Sequence, residues 1–112
     1  MAVELLPHLT STEYSKHLIV NGKPFLMRAA ELQNSAMTSG EFMDGVWQNM
    51  VDTNINTILG CVTWEMVERT EGVFDFTELD RAISGARKHG IHLVLLWFGS
   101  FKNGSQNFTD TC

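Results

Sequence analysis

Residues 54–76 read NINTILGCVTWEMVERTEGVFDF and leave few folds open. The run from Ile55 to Val62 is apolar and rich in β-branched residues, which favours a buried strand. It ends in a cluster of aromatic and acidic side chains, Trp64, Glu65 and Glu68. A Glu71-Gly72 turn follows, and Phe74-Asp75-Phe76 leads towards a helix. A strand that ends in a polar-aromatic loop and returns through a helix is half of a β/α unit. In folds built from such units, ligands collect outside the carboxyl ends of the strands.

The neighbouring segments extend the pattern. Leu18-Ile19-Val20, Asn21-Gly22 and Phe25-Leu26-Met27 have the form of a hairpin, with Asn-Gly supplying positive φ for a tight turn. The second run is expected to continue as a strand through Ala29-Ala30 to Glu31, where Gln33, Asn34 and Ser35 take over. Thr38-Ser39-Gly40-Glu41 has the form of a capping box with Thr38 as cap. Phe42, Met43, Val46, Trp47, Met50 and Val51 then recur at helical spacing, so a helix is expected to end near 52–54 with this stripe in the core. Thr77 is expected to cap a second helix, with Leu79, Ala82, Ile83 and Ala86 as its buried stripe. Arg87, Lys88 and His89 complement its C-terminal dipole, and Gly90 stops it. Ile91 to Phe98 is almost wholly apolar, as in a parallel strand covered on both faces. The expected class is α/β, with about three parallel strands and two helices preceded by a hairpin. Right-handed crossovers would set those strands side by side.

At 112 residues the chain is long enough for one small domain with a core. Its net charge of -5 argues against nucleic acid or an anionic membrane surface as partner. No apolar run approaches the roughly 18 residues of a membrane span. The N-terminus lacks the basic lead and apolar core of a secretory signal, so a cytoplasmic location is expected. Both cysteines, Cys61 and Cys112, are expected to be unbridged thiols. The sequons at Asn103 and Asn107 would matter only in an exported protein. The four histidines show no ligand spacing, so neither a metal nor another cofactor is expected. A phosphate loop and a nucleophile elbow are missing from the sequence.

Three blocks, LIVNGKPFLMRAAELQNS, NTILGCVTWEMVERTEGVFDFTELD and LVLLWFGSFKNG, resemble in order the opening of β-galactosidase-like glycoside hydrolases of families 42 and 35. The likeness covers roughly residues 17–104, after a loose lead over 1–16 and before a divergent tail over 105–112. It implies part of a TIM (β/α)8 barrel, a fold of about 250 residues with its sugar site at the strand C-termini. The resemblance places the two catalytic carboxylates of such enzymes on later strands, beyond Cys112, so no catalytic residue is assigned here. It implies a β-galactoside substrate in the complete protein, contacted from the rim by Glu31 and Asn34 after the first strand, Trp64 and Glu65 after the second, and Trp97 at the end of the third. Carboxylates and amides bind hydroxyls, while a Trp face covers the apolar side of a pyranose.

Arg69 stands where the family usually carries proline. The tail SQNFTDTC departs from the family and has the look of a truncated or misread gene end. Glu65 and Glu68 are not read as a catalytic pair, because they share one short loop and could not flank a glycosidic bond. Glu68 is expected to tie its loop to a backbone donor. A second reading is a non-catalytic barrel fragment that binds a sugar or a partner weakly; a small doubly wound domain is disfavoured, because the opening hairpin and the third strand lack a covering helix to complete such a sheet. The isolated chain is expected to self-associate through uncovered apolar surface and an unpaired strand edge.

Overall fold

The computed structural model describes residues 6–99. The sequons, Cys112 and the tail 105–112 lie outside them. The chain begins with strands β1 (His8–Ser11), β2 (Lys16–Val20) and β3 (Lys23–Pro24), which pair antiparallel in the order β1-β2-β3. The Asn21-Gly22 turn has φ of 52° and 76°, the left-handed pair that the hairpin reading required. The strand β1 falls in a stretch expected to be a loose lead. All four of its residues are exposed, so backbone pairing to β2 holds it and no burial period marks it in the sequence.

The second run of the hairpin does not continue unbroken to Glu31. It stops at Pro24, and the next strand, β4 (Ala29–Glu31), belongs to a different sheet. The seam between the sheets is held by Asn56. Its Oδ1 accepts from Arg28 N at 2.8 Å and its Nδ2 donates to Leu26 O at 2.8 Å. One amide thus supplies the ladder bonds that a strand edge would otherwise make.

After a 3₁₀ turn at Ala36–Thr38 the chain forms α1 (Gly40–Asp52), then β5 (Thr57–Thr63), a single helical turn α2 (Trp64–Val67), α3 (Thr77–Lys88) and β6 (His92–Phe98). Strands β4, β5 and β6 form a parallel sheet in that order. The α/β class, the three parallel strands and the two long helices agree with the sequence reading, and α2 adds a short helical turn to them.

Both helix starts are displaced from their expected caps. The cap of α1 is Ser39, whose Oγ accepts from Phe42 N at 3.2 Å. Thr38 instead donates its hydroxyl to Ser35 O at 2.6 Å and closes the preceding turn. Thr77 is the first residue of α3, and its N–H is taken by Asp75 Oδ1 at 2.9 Å. Gly90, at φ 68°, ends α3 as expected.

Helices α1 and α3 lie on one face of the parallel sheet, with Met43, Trp47, Ala82 and Ala86 packed against Ile58 and Ile91. Burying a side chain such as Met43 or Ile58 contributes about 2–3 kcal/mol. The α1 stripe is narrower than expected: Met43 and Trp47 are buried and Val46 and Met50 half-buried against the core, but Phe42 is 56% exposed and Val51 is exposed too. The helices are tied at their rims by Arg81 to Asp44 at 2.6 Å and by Gly40 N to Glu78 Oε2 at 2.7 Å. Gly60 lets Met37 lie directly on β5, since a Cβ there would overlap the Met37 sulfur.

Strand β6 is not covered on both faces. Among the described residues it has one neighbouring strand, β5, and Val94, Leu95 and Trp97 are exposed. An open groove of about 400 Å³ runs between β6, α3 and the Phe74–Phe76 loop. No helix of the described residues is long and apolar enough to cross a membrane.

Candidate functional site

The parallel pairing turns the carboxyl ends of β4, β5 and β6 the same way, and the residues singled out from the sequence sit at or just past those ends. The pleat divides them by face. Glu31 pairs with Leu59, and alternation along β5 puts Leu59, Cys61 and Thr63 on the face opposite the helices, whereas Ile58 and Val62 pack towards them. Glu31 therefore looks away from the helical layer. Its register also leaves it four residues behind Thr63 along the sheet, about 13 Å at the usual rise.

Asn34 belongs with Glu31. Its Oδ1 accepts from the buried Cys61 Sγ at 3.5 Å, which fixes the amide over the same face of β5. This leaves the amide Nδ2 as the donor that Asn34 can turn to a ligand. Cys61 is expected from the sequence as a strand residue with an unbridged thiol. Its part in orienting Asn34 could not have been found from spacing, because 27 residues separate the two.

Trp97 goes to the other side. It pairs with Val62 and lines the apolar groove with Leu79 and Phe76, on the helix-bearing face. It does meet Trp64, with ring centroids 6.1 Å apart and planes tilted by 40°. A methyl at Gly99 would come within 2.6 Å of Trp97 Nε1, so the bare glycine makes room for this ring. The expected rim thus resolves into two groups: Glu31 with Asn34, and Trp64 with Trp97. Glu65 is half-buried on α2 beside Trp64.

Helix α2 exists because Thr63 caps it, its Oγ1 accepting from Met66 N at 3.1 Å. That turn brings Trp64 and Glu68 onto one side. Trp64 Nε1 donates to Glu68 Oε2 at 2.6 Å, and Gly72 N donates to Glu68 Oε1 at 2.6 Å. Glu68 is only 6% exposed. The indole bond first, and the Gly72 bond second, hold its carboxyl below the ordinary value of 4.5. The bond to Gly72 is the backbone tie expected from the sequence. The bond to Trp64 was missed, although the i, i+4 spacing of the two residues could have suggested it. Both Glu68 oxygens are occupied within the loop, as befits a structural acid rather than a reacting one.

Arg69, at the position where the sequence departs from proline, is exposed. Its charge helps to lower the Asp75 carboxyl, after the larger effect of the Thr77 hydrogen bonds. Among the described residues, no group of three or more His, Cys, Asp or Glu side chains could hold a metal ion.

In comparison with known families, a model of the glycoside hydrolase 42 family, described as beta-galactosidase, matches residues 34–97. The matched segment begins at Asn34 and ends at Trp97. It spans α1, β5, α2 and α3 and nearly all of β6. No curated protein matches the chain.

Proposed function

The chain belongs to the beta-galactosidase family of glycoside hydrolases, and on that footing we propose that its strand ends form part of the rim of a galactoside site. The observation that carries this reading is the common direction of β4, β5 and β6, which sets Glu31 with Asn34 and, about 13 Å further along the sheet, Trp64 with Glu65 at or past the carboxyl ends of strands backed by helices. The sheet is then an arc of a (β/α)8 barrel, whose ligand sites lie at that end.

Hydrolysis in this reading is the two-carboxylate retaining reaction. One acid protonates the glycosidic oxygen while a second carboxylate, about 5–5.5 Å away, attacks the anomeric carbon; water then releases the sugar. The resemblance to the family assigns both carboxylates to later strands; Glu68, engaged on both oxygens, and Glu65, which shares its short loop, are proposed for neither role. The residues in hand bind and orient. Glu31 and Glu65 accept from sugar hydroxyls, Asn34 donates through Nδ2, and Trp64 offers a ring face to the apolar CH side of the pyranose. Trp97 contributes through its contact with Trp64, since its own strand position faces the helices.

The test is to titrate the 112-residue chain with methyl β-galactoside by NMR and to assay an aryl β-galactoside in parallel. The expected result is perturbation of Glu31, Asn34 and Trp64 resonances without turnover. Absence of any perturbation would overturn the rim assignment, and turnover would overturn the placement of the catalytic pair. A non-catalytic role as a weak sugar- or partner-binding module is the second reading, favoured by the exposed apolar residues of β6. Galactoside perturbation that ignores Glu31 and Asn34 but follows Val94 and Leu95 would support it.

A further inference from the structure

We infer that Glu68 is a positioning residue that fixes the indole of Trp64 as a ring platform. The inference rests on the rim reading above and extends it to a residue that contacts no sugar. Three observations carry it. The Glu68 carboxylate is buried and grips two donors from opposite ends of one loop, Trp64 Nε1 and Gly72 N, each at 2.6 Å. Gly72 has φ 77°, so the turn that brings its N–H back to Glu68 depends on glycine. The ring also meets Trp97, 6.1 Å away between centroids.

These contacts have a chemical consequence. With Nε1–H given to a charged acceptor, Trp64 no longer has a donor for a sugar hydroxyl; what remains to it is its face. A ring held at its N–H edge also loses little freedom on binding, which raises the affinity that stacking can return. The platform therefore selects a ligand with a continuous apolar CH patch, such as the less polar face of a β-galactopyranoside, over one that needs an indole N–H donor.

The experiment uses the full chain, Glu68→Gln and Trp64→Phe, the last to assign the indole signal. A neutral amide can accept from one of the two donors but cannot serve both as the carboxylate does. In the unmutated chain the Trp64 indole proton is expected well downfield and slow to exchange with solvent. In E68Q it is expected to move upfield and exchange faster, and methyl β-galactoside to bind about fivefold more weakly, equivalent to loss of a well-oriented ring contact. An indole proton in the unmutated chain that exchanges as fast as that of an exposed tryptophan would overturn the inference, and this measurement does not depend on any variant folding. An unchanged galactoside affinity in E68Q would overturn it as well. If the sugar moves no Trp64 signal in the unmutated chain, the rim reading and the platform role both fall, whereas the exchange rate still reports on the clamp.

Discussion

At the scale of single residues, the close approach of Met37 to Gly60 gives the sharpest expectation. Both are in the packed interior, and a Cβ at position 60 would overlap the Met37 side chain. Gly60→Ala is expected to destabilise the chain by about 1–3 kcal/mol, read as a lower urea midpoint at unchanged slope. Glu68 gives an expectation in pH. Its carboxyl is depressed in the folded chain by the Trp64 and Gly72 bonds, so its contribution to stability is complete above the unfolded value of about 4.5 and is lost as pH falls through the lower folded value. Unfolding midpoints followed from pH 6 downwards are expected to fall for the unmutated chain across that window and to fall less for Glu68→Gln. Equal slopes for the two would show that the bonds are not made in solution.

At the scale of elements, the position of the α1 cap separates the reading of the sequence from the structure. Thr38 with Glu41 fits the capping-box pattern, yet the cap is Ser39. Ser39→Ala is expected to cost about 1 kcal/mol, and Thr38→Ala less, in thermal or urea unfolding. The failure of the pattern is instructive. Only Thr38 has a glutamate three residues on, whereas Ser39 has Phe42 there; the cap nonetheless falls to Ser39, because the 3₁₀ turn at Ala36–Thr38 claims the Thr38 hydroxyl for Ser35. Elements with strong local signals were legible: the β5 run, the α3 stripe between its acids and Arg87-Lys88, the Asn21-Gly22 turn and the stop at Gly90. The strand β1 was hidden because its residues are exposed throughout, and the break after Pro24 was hidden because Asn56, 30 residues away from Leu26, makes the join. Of the candidate site, the residue types at the strand ends could be read from the chain. Their division between two faces could not, since it depends on the pairing of Trp97 with Val62 and of Glu31 with Leu59.

At the scale of the whole molecule, the exposed flank of β6 and the groove beside it are expected to set behaviour in solution. Val94, Leu95 and Trp97 are exposed on an edge strand of the described sheet, a combination that invites pairing with another chain. Association that grows with concentration is therefore expected in sedimentation, and a charge on the edge, Val94→Lys, is expected to shift the distribution towards monomer. A single monomeric species across a hundredfold range of concentration would contradict this.

The small antiparallel sheet sits at the opposite end from Trp64. Leu18, Val20 and Phe25 close over the start of the parallel strands beside Thr57 and His92, with the Phe25 and His92 rings edge to face at 4.8 Å. That end of the described sheet is stoppered by the hairpin, and the carboxyl ends of its strands lie at the other. A fluorophore or purification handle grafted into the Asn21-Gly22 bend would accordingly ride on the stopper, well clear of whatever docks at the tryptophans.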